Sequence, residues 1–94
     1  MSRPVKLSDT AQNDLRRLSQ FLDALSPRAS VRAARVIREA ILQLSNFPML
    51  GMAIEDDMRL LRIRFGDSGY VAEYRLDAKV VVIARIFHMR EDRP

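Results

Sequence analysis

The chain has no cysteine among its 94 residues. A disulfide framework and thiolate chemistry are therefore excluded, and the expected compartment is the reducing cytoplasm. Histidine occurs once, at position 88. A lone histidine without cysteine cannot assemble a metal centre, so no metal and no other cofactor is expected. No apolar run approaches the roughly 18 residues that span a bilayer. The start, Met1-Ser2-Arg3-Pro4-Val5-Lys6, has no apolar signal-peptide core. The expectation is a cytoplasmic protein with no membrane partner. No glycine-rich loop leads from a strand into a helix, which leaves nucleotide binding unsupported. No serine stands in a nucleophile elbow. Lysine is scarce too: Lys6 and Lys79 are the only two among 16 basic residues, and the other 14 are arginine.

What is present is one domain's worth of patterned sequence, taken as residues 1–94 without repeats or linkers. Val5-Lys6-Leu7 alternates like a short strand. Ser8 is a candidate helix cap, with Asp9 and Asp14 near the positive end of the helix that follows. Leu15, Leu18, Leu22 and Leu25 then form one helical stripe, and Arg16, Arg17, Gln20 and Asp23 fall on the solvated side. Ser26-Pro27 caps and opens a second helix. It carries Ala33, Ile37, Ala40, Ile41 and Leu44 on one face and arginines on the other. Asn46-Phe47-Pro48 ends it. Residues 49–57 read as a loop around Gly51. Its acidic trio, Glu55, Asp56 and Asp57, is read as solvated charge.

Three strands are expected after the loop. In the first, Leu61, Ile63 and Phe65 oppose Arg62 and Arg64. Gly66-Asp67-Ser68-Gly69 supplies turn chemistry. In the second, Tyr70, Ala72, Tyr74 and Leu76 alternate with Val71, Glu73 and Arg75. The third is apolar on both faces from Val80 to Ala84, as an interior strand would be. The expected fold is α+β in the order β-α-α-β-β-β, with a helical hairpin packed on an antiparallel sheet.

The net charge of +4 invites an anionic partner. Arg62 and Arg64 share a strand face about 7 Å apart. Arg75, Arg85 and Arg90 could converge on them. Clustered guanidinium groups stabilise charge developing on a phosphoryl group and equally bind acidic protein segments. His88 could serve as an acid or base near neutral pH, or stand as a partly exposed histidine at a strand end. The arginines of the second helix read as a solvated face.

Several short pieces together resemble the RelE/ParE superfamily of toxins from bacterial type II toxin–antitoxin (plasmid stabilisation) systems. They are Leu7-Ser8, Ala11-x-x-Asp14-Leu15, Phe47-Pro48-x-x-Gly51, Leu61-Arg62-Ile63-Arg64-Phe65, Ser68-Gly69-Tyr70, Tyr74-Arg75-Leu76, Val80-Val81-Val82-Ile83 and His88-x-Arg90-Glu91-Asp92. The resemblance implies the same hairpin-on-sheet fold and a cognate antitoxin, ParD-like or similar, that holds the toxin inactive. RelE-like members cleave mRNA on the ribosome without a metal. Their basic pair matches Arg62 and Arg64, and a later arginine matches Arg90; in that reading His88 is the acid or base. Their arginine after the Ser-Gly-Tyr turn is Val71 here, and their C-terminal tyrosine has no counterpart before Pro94. The Phe-Pro-x-x-Gly and His-x-Arg-Glu-Asp pieces are more similar to ParE, whose members are described as poisons of DNA gyrase that act by binding. The resemblance thus implies gyrase as the target. Arg62, Arg64, Arg75, Arg85 and Arg90 are then recognition residues, with ribosome-bound mRNA cleavage as the alternative. A module that keeps its antitoxin but has lost toxicity is the third possibility.

Overall fold

The computed structural model describes residues 2–91. Strand β1 (Val5–Leu7) leads into α1 (Asp9–Leu25), and α2 (Pro27–Leu42) follows after a single residue. A 3-10 turn over Gln43–Ser45 closes the helical half. Four strands come next: β2 (Met52–Glu55), β3 (Met58–Phe65), β4 (Ser68–Leu76) and β5 (Val81–His88). They join β1 in one sheet of order β1-β5-β4-β3-β2.

Local chemistry sets the helix ends. The Ser8 hydroxyl accepts from the Ala11 amide at 3.0 Å, and the Ser26 hydroxyl accepts from Ala29 at 3.2 Å. Each satisfies one of the orphan amides of a helix start. Pro27 at the first position of α2 loses no intrahelical bond, and its fixed φ suits the helix. The inner faces match the expected stripes, with Ala11, Leu18, Ala33, Ile37, Ile41 and Leu44 buried. Leu25 is the exception at the hairpin tip, 70% exposed. Below the helices, Leu61, Ile63, Tyr70, Ala72, Tyr74, Val81, Ile83 and Ile86 complete a single core.

Three features depart from the expected order. The sheet is mixed: β1 pairs with β5 in parallel, Val5 opposite Val81 and Leu7 opposite Ile83, while the other pairings are antiparallel. The loop at 49–57 contains a strand, since Met52–Glu55 pairs with β3 as the sheet's far edge. All four of its residues are exposed, so burial imposes no alternation for a sequence to display. Finally, β5 carries a bulge. Glu73 faces Arg85 and Tyr74 faces Ile83, which leaves Ala84 unopposed. A bulge inserts one residue and reverses which face the following side chains take. Val81 and Ile83 face the helices before it; Ile86 and His88 do so after it.

The connection into β2 is pinned by Tyr74. Its hydroxyl donates to the Pro48 carbonyl at 2.9 Å and accepts from the Gly51 amide at 2.8 Å. A Cβ on Gly51 would stand 2.5 Å from the Leu60 carbonyl oxygen and 2.7 Å from the Tyr74 ring, so only glycine fits. Arg59 adds Nε to the Gly51 carbonyl at 2.8 Å. The Phe47-Pro48-x-x-Gly51 spacing is thus the spacing of a loop clamped on one buried phenol. Tyr74→Phe should leave the Gly51 amide and the Pro48 carbonyl short of a partner and cost about 1–3 kcal/mol. That corresponds to a fall in Tm of about 4–8 °C per kcal/mol, read by thermal denaturation. A variant melting with the wild type would remove this role from the phenol.

Candidate functional site

The sheet has one face under the helices and one face away from them. On β3, Leu61 and Ile63 are buried toward the helices, while Arg62 and Arg64 are exposed on the other side. Cross-strand register carries this face over the sheet. Arg62 stands opposite Val71, which stands opposite Phe87; Leu60 stands opposite Glu73, which stands opposite Arg85. Val71 and Phe87 are buried despite lying on the outer face. The Arg85 guanidinium lies 4.6 Å over the Phe87 ring. The accessible part of this face therefore includes the exposed Arg62 and Arg64, while Val71 and Phe87 are covered.

The arginines do not gather into one cluster. Arg62 and Arg64 are neighbours on one face, as their spacing predicts. Arg75 lies opposite Met58, four residues along β4 from the partner of Arg62, or about 13 Å by strand rise. Arg90 sits in the turn after β5 and is exposed. Arg85 is already engaged: its Nε and Nη2 donate to the Asp14 carboxylate at 2.9 and 3.2 Å.

His88 is parted from the arginine pair. It faces Tyr70 across the β4–β5 ladder and packs edge-on against that ring at 5.3 Å between centroids. Tyr70 belongs to the core on the helix side. The Arg90 amide donates to His88 Nδ1 at 3.2 Å, which occupies that nitrogen's lone pair. The expected grouping of Arg62, Arg64, Arg90 and His88 is therefore spread over two faces of the sheet and a turn. Both tyrosines, Tyr70 and Tyr74, lie on the helix side as well. Burial, together with the nearby Glu91 charge, pushes the Tyr70 phenol up from its ordinary value. Among the described residues no group of three or more His, Cys, Asp or Glu side chains could hold a metal ion.

Sequence reasoning missed the role of Asp14. It is 2% exposed and does not act chiefly as a charge near a helix start. Besides Arg85, its carboxylate accepts from the Ile86 amide at 2.8 Å and from Arg17 Nη1 at 2.7 Å. Arg17 in turn donates to Glu91 at 2.9 Å, so it is not a free solvated side chain. Burial acts to raise the Asp14 carboxyl, but bonds from Arg85, the Ile86 amide and Arg17 outweigh it and hold the group below its ordinary value. The signal available in the sequence was an acid one step before Leu15, on the apolar side of α1.

A carboxyl whose folded value is lowered contributes stability that is complete above its unfolded value, about 3.9. That contribution disappears as pH falls through the folded value. The urea midpoint of the wild type should thus fall on acidification more steeply than that of Asp14→Asn. Asp14→Ala, which strands a guanidinium and a buried amide, should cost about 3–5 kcal/mol at neutral pH. Parallel acid limbs in wild type and Asp14→Asn would show that the carboxylate carries no such linkage.

A second feature lies between the helices. An apolar groove of about 440 Å³ is walled by Leu15, Leu18 and Leu22 of α1 and by Ala33 and Ile37 of α2, with Tyr70 among its lining. Exposed Arg16 and Arg38 also line it.

Comparison with known proteins agrees with this architecture. A family model described as the ParE toxin of the type II toxin–antitoxin system parDE matches residues 5–93. Toxin RelE3 of Caulobacter vibrioides is 38% identical over 91 residues, covering 97% of this chain and 99% of the relative. Toxin RelE1 of the same organism is 34% identical over 93 residues, covering 99% and 100%. Among solved structures, the chromosomal ParDE system of P. aeruginosa superposes with a TM-score of 0.79 at 21% identity, over 93% of this chain and 96% of that one. The RelBE2 toxin–antitoxin complex of Mycobacterium tuberculosis gives 0.63 at 28% identity, over 94% and 99%. The relatives' names fall on both sides of the RelE–ParE division. With nearly its whole length matched, this chain belongs to the ParE toxin family of the RelE/ParE superfamily and is the toxin of a type II toxin–antitoxin module.

Proposed function

We propose that the toxin acts by binding, with DNA gyrase as its target, and not by cutting mRNA on the ribosome. The observation that carries this is the separation of groups across the sheet. Phosphodiester cleavage without a metal needs charge stabilisation and positioned proton transfer at one place. Arg62 and Arg64 can stabilise charge, but His88, Tyr70 and Tyr74 lie on the helix side. Arg85 is committed to Asp14. Glu73 on the arginine face stands opposite Arg85, whose charge it supports. The exposed pair Arg62 and Arg64 offers two bidentate donors to an acidic protein surface.

The purified toxin should inhibit gyrase supercoiling at micromolar concentration, and His88→Ala should inhibit as well as the wild type. The joint variant Arg62→Ala, Arg64→Ala should weaken inhibition by about tenfold or more, the scale of losing charged contacts at an interface. Translated mRNA assayed beside it should remain uncut in primer extension. Cleavage that depends on Arg62, Arg64 and His88 together would overturn the binding mechanism and favour the nuclease.

In the cell the toxin is held by a cognate antitoxin, as in the ParDE and RelBE2 assemblies it resembles. We assign the antitoxin's apolar anchors to the groove between α1 and α2, whose walls are apolar and whose exposed Arg16 and Arg38 suit acids flanking those anchors. Reversing both charges, Arg16→Glu with Arg38→Glu, should weaken antitoxin binding by about tenfold or more in calorimetry. Unchanged affinity would place the antitoxin elsewhere.

A further inference from the structure

The exposed side of α2 carries a second array of arginines. Arg28, Arg32 and Arg35 follow one another at intervals of four and three residues, which stacks them on one face. That face is opposite the buried one formed by Ser30, Ala33, Ile37 and Ile41. The three span about 10 Å of helix axis. All are exposed. Arg38 lies at the flank, and Glu39, the only acid in the helix, ends the row four residues past Arg35 on the same face. The ion pairs of the described residues join Arg17 or Arg85 to Asp14 or Glu91; none of the α2 arginines meets an acid there.

Such a row opposes its own helix. Like charges three and four residues apart repel, and Arg28 lies near the positive end of the helix dipole. Within the described residues the row is opposed only in part, by Glu39 one turn beyond Arg35 and by the Phe65 ring beneath Arg32. The backbone beneath the row is nevertheless fixed, because Ser26 caps the helix, Pro27 opens it and four buried residues seat it on the core. Arg32 is also directed, its guanidinium 6.0 Å over the ring of Phe65, which adjoins Arg64. A straight, preorganised row of bidentate donors suits a regular line of phosphates.

We propose that this face of α2 lies along the phosphate backbone of duplex DNA. A single strand is the poorer fit, because proteins that hold single strands stack bases on aromatic side chains, and α2 has no aromatic residue. Contacts of this kind are independent of base sequence and fix position on the duplex. The choice of DNA over duplex RNA rests on the gyrase reading above, since gyrase works on DNA. The contact brings the toxin to DNA by a surface separate from Arg62 and Arg64 on β3.

The test uses the full-length toxin and a short random-sequence duplex, without gyrase, by fluorescence anisotropy over a salt series. Three phosphate contacts predict a slope of log K against log salt of about −3, at about −0.9 for each. The triple variant Arg28→Gln, Arg32→Gln, Arg35→Gln should bind at least about tenfold more weakly and lose most of that slope, at about one unit per arginine. Its melting temperature, measured alongside, should be no lower than that of the wild type, because all three side chains are exposed and their mutual repulsion is removed. An unchanged slope in the triple variant, or a slope lost only in Arg62→Gln with Arg64→Gln, overturns the assignment. So does tighter binding to single-stranded RNA, to duplex RNA or to an acidic polypeptide than to duplex DNA. Gyrase is absent, so failure here leaves the supercoiling result standing, and a toxin that binds DNA but spares gyrase sinks only the gyrase reading.

Discussion

One buried carboxylate holds the two halves of this toxin together. Strand β5 has β1 beside it only as far as Ile83. Beyond that point its edge would present unpaired backbone groups, a liability in any sheet. The start of α1 covers them in sequence. The Ser8 amide donates to the Ile83 carbonyl at 2.9 Å and its hydroxyl to the Ala84 carbonyl at 2.9 Å. Asp14 then accepts from the Ile86 amide. The cap and first two turns of α1 thus continue the work of the strand before it. Because Asp14 also binds Arg85 and Arg17, and Arg17 binds Glu91, the same carboxylate orders the outer face of β5 and the turn after it. Its cost is desolvation, offset by four donors that leave neither oxygen unmatched.

That arrangement depends on the bulge at Ala84. In an unbroken strand Arg85 would share the helix side with Val81 and Ile83, and His88 would share the outer side with Arg62 and Arg64. The extra residue exchanges them. It sends Arg85 over the edge to Asp14 and turns His88 against Tyr70. A single inserted residue therefore decides whether histidine and arginine pair can cooperate, and in this chain it keeps them on different faces. The outer face keeps the exposed Arg62 and Arg64, with Val71 and Phe87 buried among charged neighbours.

The proposals give three surfaces separate duties. The groove between the helices is apolar and open, fit for an antitoxin segment. The β3 arginines lie on the far side of the sheet, and the α2 arginines lie on the back of the hairpin. In the proposed reading the groove, the arginine pair of β3 and the arginine row of α2 have no residue in common.

Much of the fold was legible. Serine caps, Pro27, the apolar stripes of both helices and the alternation of β3 and β4 are local, and each residue's neighbours in sequence decide it. The paired arginines at 62 and 64 were legible for the same reason. The glycine of Phe47-Pro48-x-x-Gly51 could be seen, but not why it is glycine, because the phenol that excludes a Cβ comes from Tyr74, 23 residues away. Strand β2 was hidden because an exposed edge strand has no buried face to imprint a period. The parallel pairing of β1 was hidden because three residues cannot name their partner. The sequence by itself determined the elements, their order and the face of each that is apolar, since these follow from side-chain spacing along a helix or strand. Only the tertiary structure decided which charges are free, for Asp14 meets Arg85 across 71 residues and a bulge fixes the side on which His88 stands.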